Sequence, residues 1–241
     1  MKISVLTPSF NSGKYIERAI QSVIDQDYKD YEHIITDGGS KDDTLDIIKR
    51  YSHINYISER DKGQSDAMNK AFKMSNGDII VYLNADDEFS PNAFKTIAKA
   101  FKDYPEADMI VGNLIYLAPD EKVTRIPSNK YLDIVRYWLN LFPNNPVSYF
   151  YKRKVQVEIG EFPVDNHFAM DVWFLLKAYQ KFKVSKVDAT LGIFHSDGNN
   201  KTALTDTGVN LHKTVKAHIK NDNPMLLPYF YYRFILAKFF K

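Results

Sequence analysis

Along the first part of the chain, short apolar runs alternate with stretches whose apolar positions recur every three or four residues. The runs Ile3–Leu6, Glu32–Thr36, Ile54–Ser58 and Asp78–Leu83 predict strands. Ile16, Ala19, Ile20, Val23 and Ile24 keep helical spacing and predict a helix from Lys14 to Gln26. Ser40 and Asp43 stand at capping-box spacing, which predicts a helix through Arg50. A third helix spans Ser65–Met74 with Asn76-Gly77 as its stop, and Ser90-Pro91 opens a fourth that runs to Lys102. Strands alternating with helices in this way imply a parallel sheet covered by helices on both faces.

That arrangement has a positional consequence. Thr7–Asn11, Asp37–Ser40, Glu59–Gln64 and Asn84–Asp87 each follow a strand, so they share the carboxyl edge where open α/β sheets bind ligands. Asp86 and Asp87 are adjacent hard-oxygen ligands suited to Mg²⁺ or Mn²⁺ and, through it, a diphosphate; an exposed acidic turn is the bland alternative. Phe10 can stack on a base or fill the core. Asp37 can accept from a pyrimidine N–H or close an Asx turn, and Arg60 and Lys62 can neutralise phosphates or stand as solvated charges. The first loop lacks the glycine spacing of a dinucleotide site, and no phosphate-binding P-loop occurs, which disfavours hydride transfer and P-loop phosphoryl transfer.

Beyond a strand at Met109–Leu117 the alternation loosens. Lys130–Phe142 reads as a helix, Val147–Tyr151 as a strand, Met170–Phe182 as a helix and Val184–Phe194 as one or two strands. With no linker before residue 200, the expectation is one domain over 1–200, with a nucleotide-binding half at 1–115 and an acceptor half at 116–200 that closes the crevice. Residues 201–241 form an extension.

Composition narrows the classes. With no cysteine there is neither disulfide nor thiolate metal site, and the apolar and charged fractions are those of an ordinary soluble protein. The first strand begins at once and no bilayer-length apolar run exists, so a cytoplasmic location is expected. Residues 201–241 hold seven Lys and Arg against two Asp and Glu, while the first 200 residues are slightly acidic. The basic excess therefore avoids the crevice, which argues against nucleic acid as a partner. Within 225–241, seven aromatics accompany three cations; such a segment suits a membrane surface, a helix packed on the domain, or a dimer contact.

Five segments carry a family resemblance. Val5-Leu6-Thr7-Pro8-Ser9-Phe10-Asn11, Glu32–Thr44 with its Asp37-Gly38-Gly39-Ser40, Glu59-Arg60-Asp61-Lys62-Gly63, Asp66-Ala67-Met68-Asn69-Lys70 and Leu83-Asn84-Ala85-Asp86-Asp87 resemble, in order, the family 2 glycosyltransferases of the GT-A fold. The resemblance implies a Rossmann-like α/β domain, its mostly parallel sheet flanked by helices, with a C-terminal helical tail. It also implies an inverting transfer from a nucleotide-sugar donor, expected to be UDP-linked, to a saccharide or lipid-linked acceptor in surface polysaccharide synthesis. Donor contacts would come from Thr7, Pro8, Phe10 and Asn11, from Asp37, Arg60 and Lys62, and from Asp66, Asn69, Asn84 and Ala85. Asp86 and Asp87 would serve a Mn²⁺ or Mg²⁺ ion. His195 would join them or touch phosphate, unless it is an ordinary loop histidine. By the same pattern the base is Asp171, in Phe168-Ala169-Met170-Asp171-Val172-Trp173; spacing alone favours a helix-cap carboxylate, and it is the resemblance that turns the reading to a base. Ser196–Thr202 is polar and suits a lid.

One departure stands out: the family's metal motif often reads Asp-x-Asp, and here its first position is Asn84. It leaves open a catalytically silent nucleotide-sugar scaffold. A sugar nucleotidyltransferase is the other rival, although no triphosphate-binding loop opens the chain.

Overall fold

The computed structural model describes residues 1–136, 141–143, 145–165, 169–197 and 207–232. The alternating half contains β1 (Ile3–Ser9), α1 (Ile16–Ile24), β2 (Tyr31–Asp37), α2 (Thr44–Ile48), β3 (Ile54–Ser58), α3 (Gln64–Met74), β4 (Ile79–Tyr82), the two-residue β5 (Glu88–Phe89) and α4 (Ala93–Asp103). The second half adds β6 (Met109–Ala118), β7 (Glu121–Arg125), α5 (Tyr131–Arg136), β8 (Tyr149–Lys152), α6 (Arg153–Ile159), α7 (Met170–Lys181), β9 (Val184–His195) and α8 (Thr207–Asp222).

Among the described residues these strands form one sheet in the order β3-β2-β1-β4-β8-β6-β9-β5, with β7 paired to β6. The sheet is mixed. It is parallel from β3 to β4 and again between β6 and β9, but β8 enters antiparallel to both β4 and β6. Strand alternation sorts the core into two layers. Ile3, Val5, Ile79 and Val81 pack with Ala19 and Val23 of α1 and Phe94 and Ile97 of α4. Leu6, Ile80 and Tyr82 face Met68 and Ala71 of α3 and Phe174 of α7 on the other side.

Several local expectations are corrected. The predicted capping box at Ser40 does not form: α2 starts at Thr44, and the Ser40 hydroxyl serves Asp37 and the Asn11 amide instead. Gly77 does not end α3 through a left-handed turn, since the helix exits through an extended Ser75. Glycine is needed there because a Cβ would lie 2.5 Å from the Ser4 hydroxyl and 2.8 Å from the Lys2 carbonyl. Ser90 does not cap α4, which begins after a left-handed Asn92 at φ 62°. The strand expected at 147–151 starts later, after a 3-10 turn at Pro146–Ser148. The helix expected over 130–142 is described only as α5, and residues 137–140 lie outside the described set.

Candidate functional site

The carboxyl edge of the parallel strands is assembled by loops that hydrogen-bond to one another. Phe10, just past β1, is 61 % exposed, so it is not a core aromatic. Asn11 beside it adopts a left-handed φ of 47°; its side chain accepts from the Lys41 amide at 2.9 Å, and its own amide donates to Ser40 Oγ at 2.7 Å. The first and second loops are therefore stitched together. Thr7 and Pro8 lie on β1 and are buried, with the Thr7 hydroxyl 3.0 Å from His33 Nε2 beneath the edge.

Asp37 closes the turn of its own loop. Its Oδ2 accepts from the Gly39 amide at 3.0 Å, the Ser40 amide at 2.9 Å and Ser58 Oγ at 2.7 Å, while Oδ1 accepts from Ser40 Oγ. The Asx-turn reading thus holds in this structure, and Asp37 also ties β2 to the end of β3. The next loop presses on it: a Cβ on Gly38 would lie 2.6 Å from Asp61 Oδ2, so a side chain there would have to displace that carboxylate. From that loop Arg60 and Lys62 project as exposed cations. Asp66 accepts from the Lys62 amide at 3.0 Å, and this bond, helped by Lys70, holds its carboxyl below the usual range against the opposing effect of its partial burial. Asn69, in contrast, is buried and clamps the Phe162 backbone, accepting from its amide at 2.8 Å and donating to its carbonyl at 2.9 Å. Both polar ends of its side chain are thus spent on the chain.

Past β4 the acidic pair divides. Asp87 is fully buried; its Oδ2 accepts from Asn84 Nδ2 at 2.9 Å and Asn145 Nδ2 at 2.7 Å, and its Oδ1 from the His195 amide at 3.2 Å. Asn84 in turn accepts from Gln64 Nε2 at 3.1 Å, linking this loop to α3. Burial, and then the charge of Asp86, push the Asp87 carboxyl well above its ordinary range. Asp86 is half-buried, and the Arg18 guanidinium of α1 donates to its backbone carbonyl. Ala85 packs among Ile16, Ile20 and Ile35.

The fit to a divalent cation is therefore narrower than the sequence suggests. Among the described residues no group of three or more His, Cys, Asp or Glu could hold a metal. The His195 Nε2 lies 2.6 Å from Glu88 Oε1, which explains why it does not complete such a set. Asp87 is shut behind two amides. Yet Mg²⁺ and Mn²⁺ beside a diphosphate need only one or two carboxylates, the phosphates supplying the rest. Asp86, half-buried at this edge, would supply one such carboxylate.

Asp171 is the second residue of α7, half-buried, and its Oδ1 accepts from the adjoining Val172 amide at 2.8 Å; the cap position is Ala169, so Asp171 is a first-turn acid and not a helix cap. Its location is set by topology. β9 begins beside Met109 and ends at His195, whose amide touches Asp87. Since α7 runs directly into β9 through a short turn, it folds back along the sheet and brings its first turn toward the Asp87 edge. Phe168 and residues 198–202 of the proposed lid lie outside the described residues. Asp197 is described, and it joins the β9 exit to α1 through Tyr15 Oη and through Lys14 at 3.4 Å.

Arg18, Glu88 and Asn145 were not foreseen, and Gln64 only as the last residue of an edge loop. Of the first three, only Asn145 left a trace, because Asn-Pro marks a turn. Nothing local says that its amide would find Asp87, 58 positions away.

Comparison with known proteins agrees with this geometry. The model of the family described as "Glycosyl transferase family 2" matches residues 4–170. A poly(ribitol-phosphate) beta-N-acetylglucosaminyltransferase, TarP of Staphylococcus aureus, is 34 % identical over 118 residues, 46 % of this chain and 36 % of that protein. The chain spans about a third or less of the length of the curated relatives it matches first. Among solved structures, S. aureus TarS 1-349 in complex with UDP-GlcNAc superposes with a TM-score of 0.72 at 20 % identity, covering 92 % of this chain and 68 % of that one. A Pyrobaculum calidifontis mannosyltransferase in complex with GDP-Man and Mn²⁺ gives 0.65 at 16 % identity, covering 99 % and 75 %. At these identities the two structures speak to the fold, which is that of GT-A glycosyltransferases.

Proposed function

The chain belongs to glycosyl transferase family 2, and from that premise we propose that it moves a sugar from a UDP-linked donor to a hydroxyl of a saccharide or lipid-linked acceptor, with inversion. The observation that carries this reading is the shared sheet edge, which gathers an exposed Phe10, the Asp37 turn, the cations Arg60 and Lys62, and the Asp86–Asp87 pair, with the first turn of α7 directed toward it. The UDP-GlcNAc complex of TarS supports the choice of nucleotide; the GDP-Man complex of the mannosyltransferase makes guanine the alternative to test.

In this reading Phe10 stacks on the base and Arg60 and Lys62 face the phosphates. Ser40 is held so rigidly by Asp37 that the loop is ready for the nucleotide before it arrives, which lowers the ordering cost of binding. Asp86 would hold Mn²⁺ or Mg²⁺, which would supply positive charge against the departing diphosphate. Asp87, fixed by Asn84, Asn145 and the His195 amide, keeps the loop that carries Asp86 in place. Asp171 takes the proton from the acceptor hydroxyl on the face opposite the leaving group. In the basic, aromatic segment 225–241, described only to Tyr232, Leu226, Leu227 and Phe230 pack on the domain core; the remainder rests on a membrane surface and brings the enzyme to lipid-linked acceptors.

Calorimetric titration of UDP, GDP and CDP, each with and without Mn²⁺, tests the donor assignment. Manganese-dependent preference for UDP is the expected result. Preference for GDP redirects the donor screen, and no nucleotide binding by folded protein favours a silent scaffold.

A further inference from the structure

Tyr149, the first residue of β8, is 1 % exposed, and its hydroxyl has no hydrogen-bond partner among the described residues. An unpaired buried hydroxyl costs about 1–3 kcal/mol, whereas phenylalanine would fill the same space without that cost. Something in the working protein must therefore use the O–H.

The geometry around it names a candidate. Tyr149 and Tyr151 lie on one face of β8 with their rings stacked, centroids 6.5 Å apart and planes at 21°. The Tyr151 ring packs on Phe174 of α7 at 4.9 Å. Phe174 and Asp171 lie one helical turn apart on the same side of α7. Moving from Tyr151 to Tyr149 along the strand matches moving from Phe174 to Asp171 along the helix, so the phenol is brought beside the carboxylate. The electrostatics agree: burial first, and then the negative charge of Asp171, hold the Tyr149 hydroxyl protonated well above its ordinary range.

We propose that Tyr149 is a positioning residue for Asp171: in the working complex its buried hydroxyl donates to the Asp171 carboxylate and fixes the direction in which that carboxylate faces the acceptor. This rests on the reading of Asp171 as the base. The hydroxyl serves an anion and has no role toward a neutral carboxylic acid other than a weaker one, so it also favours the ionised, proton-accepting form. The same segment begins at Asn145, which binds Asp87, so five consecutive residues brace both the acidic loop and the base.

The other titratable groups around the pair are accounted for. Tyr82 of β4 and Tyr179 of α7 act on the Tyr149 phenol more weakly than Asp171 does. From α5 and α8, Tyr131, His218 and Asp222 engage one another, and Glu158 of α6 pairs with Lys181 at the far end of α7.

The test reads the carboxylate itself, in protein saturated with UDP and Mg²⁺. In protein labelled with ¹³C at aspartate side-chain carboxyls, the Asp171 resonance is assigned with Asp171→Asn and titrated in the wild type and in Tyr149→Phe. Losing the donor should raise the Asp171 midpoint by about half to one pH unit, with Tm unchanged or lower. An unchanged midpoint, or a higher Tm with no movement of the Asp171 resonance, overturns the proposal. If Tyr149→Phe does not fold, the Tyr149 ¹³Cζ resonance in Asp171→Asn decides the matter: it should move, and its constancy overturns the proposal. Failure of the base assignment shows up separately, as UDP-sugar turnover that survives Asp171→Asn.

Discussion

At the scale of single residues, burial decides which of the polar side chains can meet a ligand. Phe10 is exposed and Asp86 half-buried, while Thr7, Asn69 and Asp87 are buried and bonded to the protein itself. Replacing Asp171 by Asn removes a proton acceptor at nearly constant shape. It is expected to lower turnover by about 10²–10⁴-fold while leaving nucleotide affinity, measured calorimetrically, within error of the wild type. His33 provides a second, independent prediction. Complete burial, reinforced by His53, lowers its pKa from 6.5 to about 3. The unfolded chain therefore binds a proton over that window that the native chain does not, and stability falls as pH drops, by about 1.4 kcal/mol per unit. Urea unfolding of His33→Gln between pH 6.5 and 5 should show a shallower slope; equal slopes would mean that the imidazole is not the source. The choice of that upper part of the window avoids Glu32, Asp42 and Asp66, whose carboxyls are held below the ordinary carboxylate range.

Elements meet through a small number of demanding contacts. Gly77 lets the turn before β4 pass against β1, and Gly77→Ala should destabilise by about 1–3 kcal/mol through overpacking, read as a lower urea midpoint with unchanged slope. Asn69 joins α3 to the segment that precedes α7. Its truncation in Asn69→Ala leaves both polar groups of the Phe162 backbone unpaired in the interior and should cost about 2–4 kcal/mol. If Asn69 served the donor alone, the same variant would keep its stability and lose nucleotide affinity instead. These two residues show how element-level reading went astray. Asn-Gly was a natural helix stop and Asn69 a natural ligand contact, because a sequence displays which groups are available but not which are already paired.

For the whole molecule, the question is how the chain meets its acceptor. No described helix is long and apolar enough to cross a membrane, and the basic excess lies past residue 200. Electrostatic attraction to anionic lipid adds about 1 kcal/mol per basic residue near the surface and weakens with salt. The full chain is therefore expected to sediment with vesicles containing phosphatidylglycerol at low salt and to be released as salt rises, whereas a chain ending at Tyr232 stays in solution. Sedimentation of the shortened chain to the same extent would assign the contact elsewhere.

The sequence by itself determined the alternating half. β3 carries the predicted bounds, and β1, β2, β4, α3 and the four edge loops fall within a few residues of expectation, because apolar periodicity and strand-end loops are local properties of the chain. It also determined the family, since the ordered motifs lie on those loops. The tertiary structure alone decided the rest. β8 reverses direction inside the sheet, β7 and α6 carry weak local signals, and Asn145 reaches Asp87 across 58 positions. It separated the half-buried Asp86 from its neighbour Asp87, sealed behind two amides, and it brought the Tyr149 phenol within the influence of the Asp171 charge. Each of these outcomes depends on desolvation and on pairing between distant groups, and such energies arise only when the chain has closed on itself.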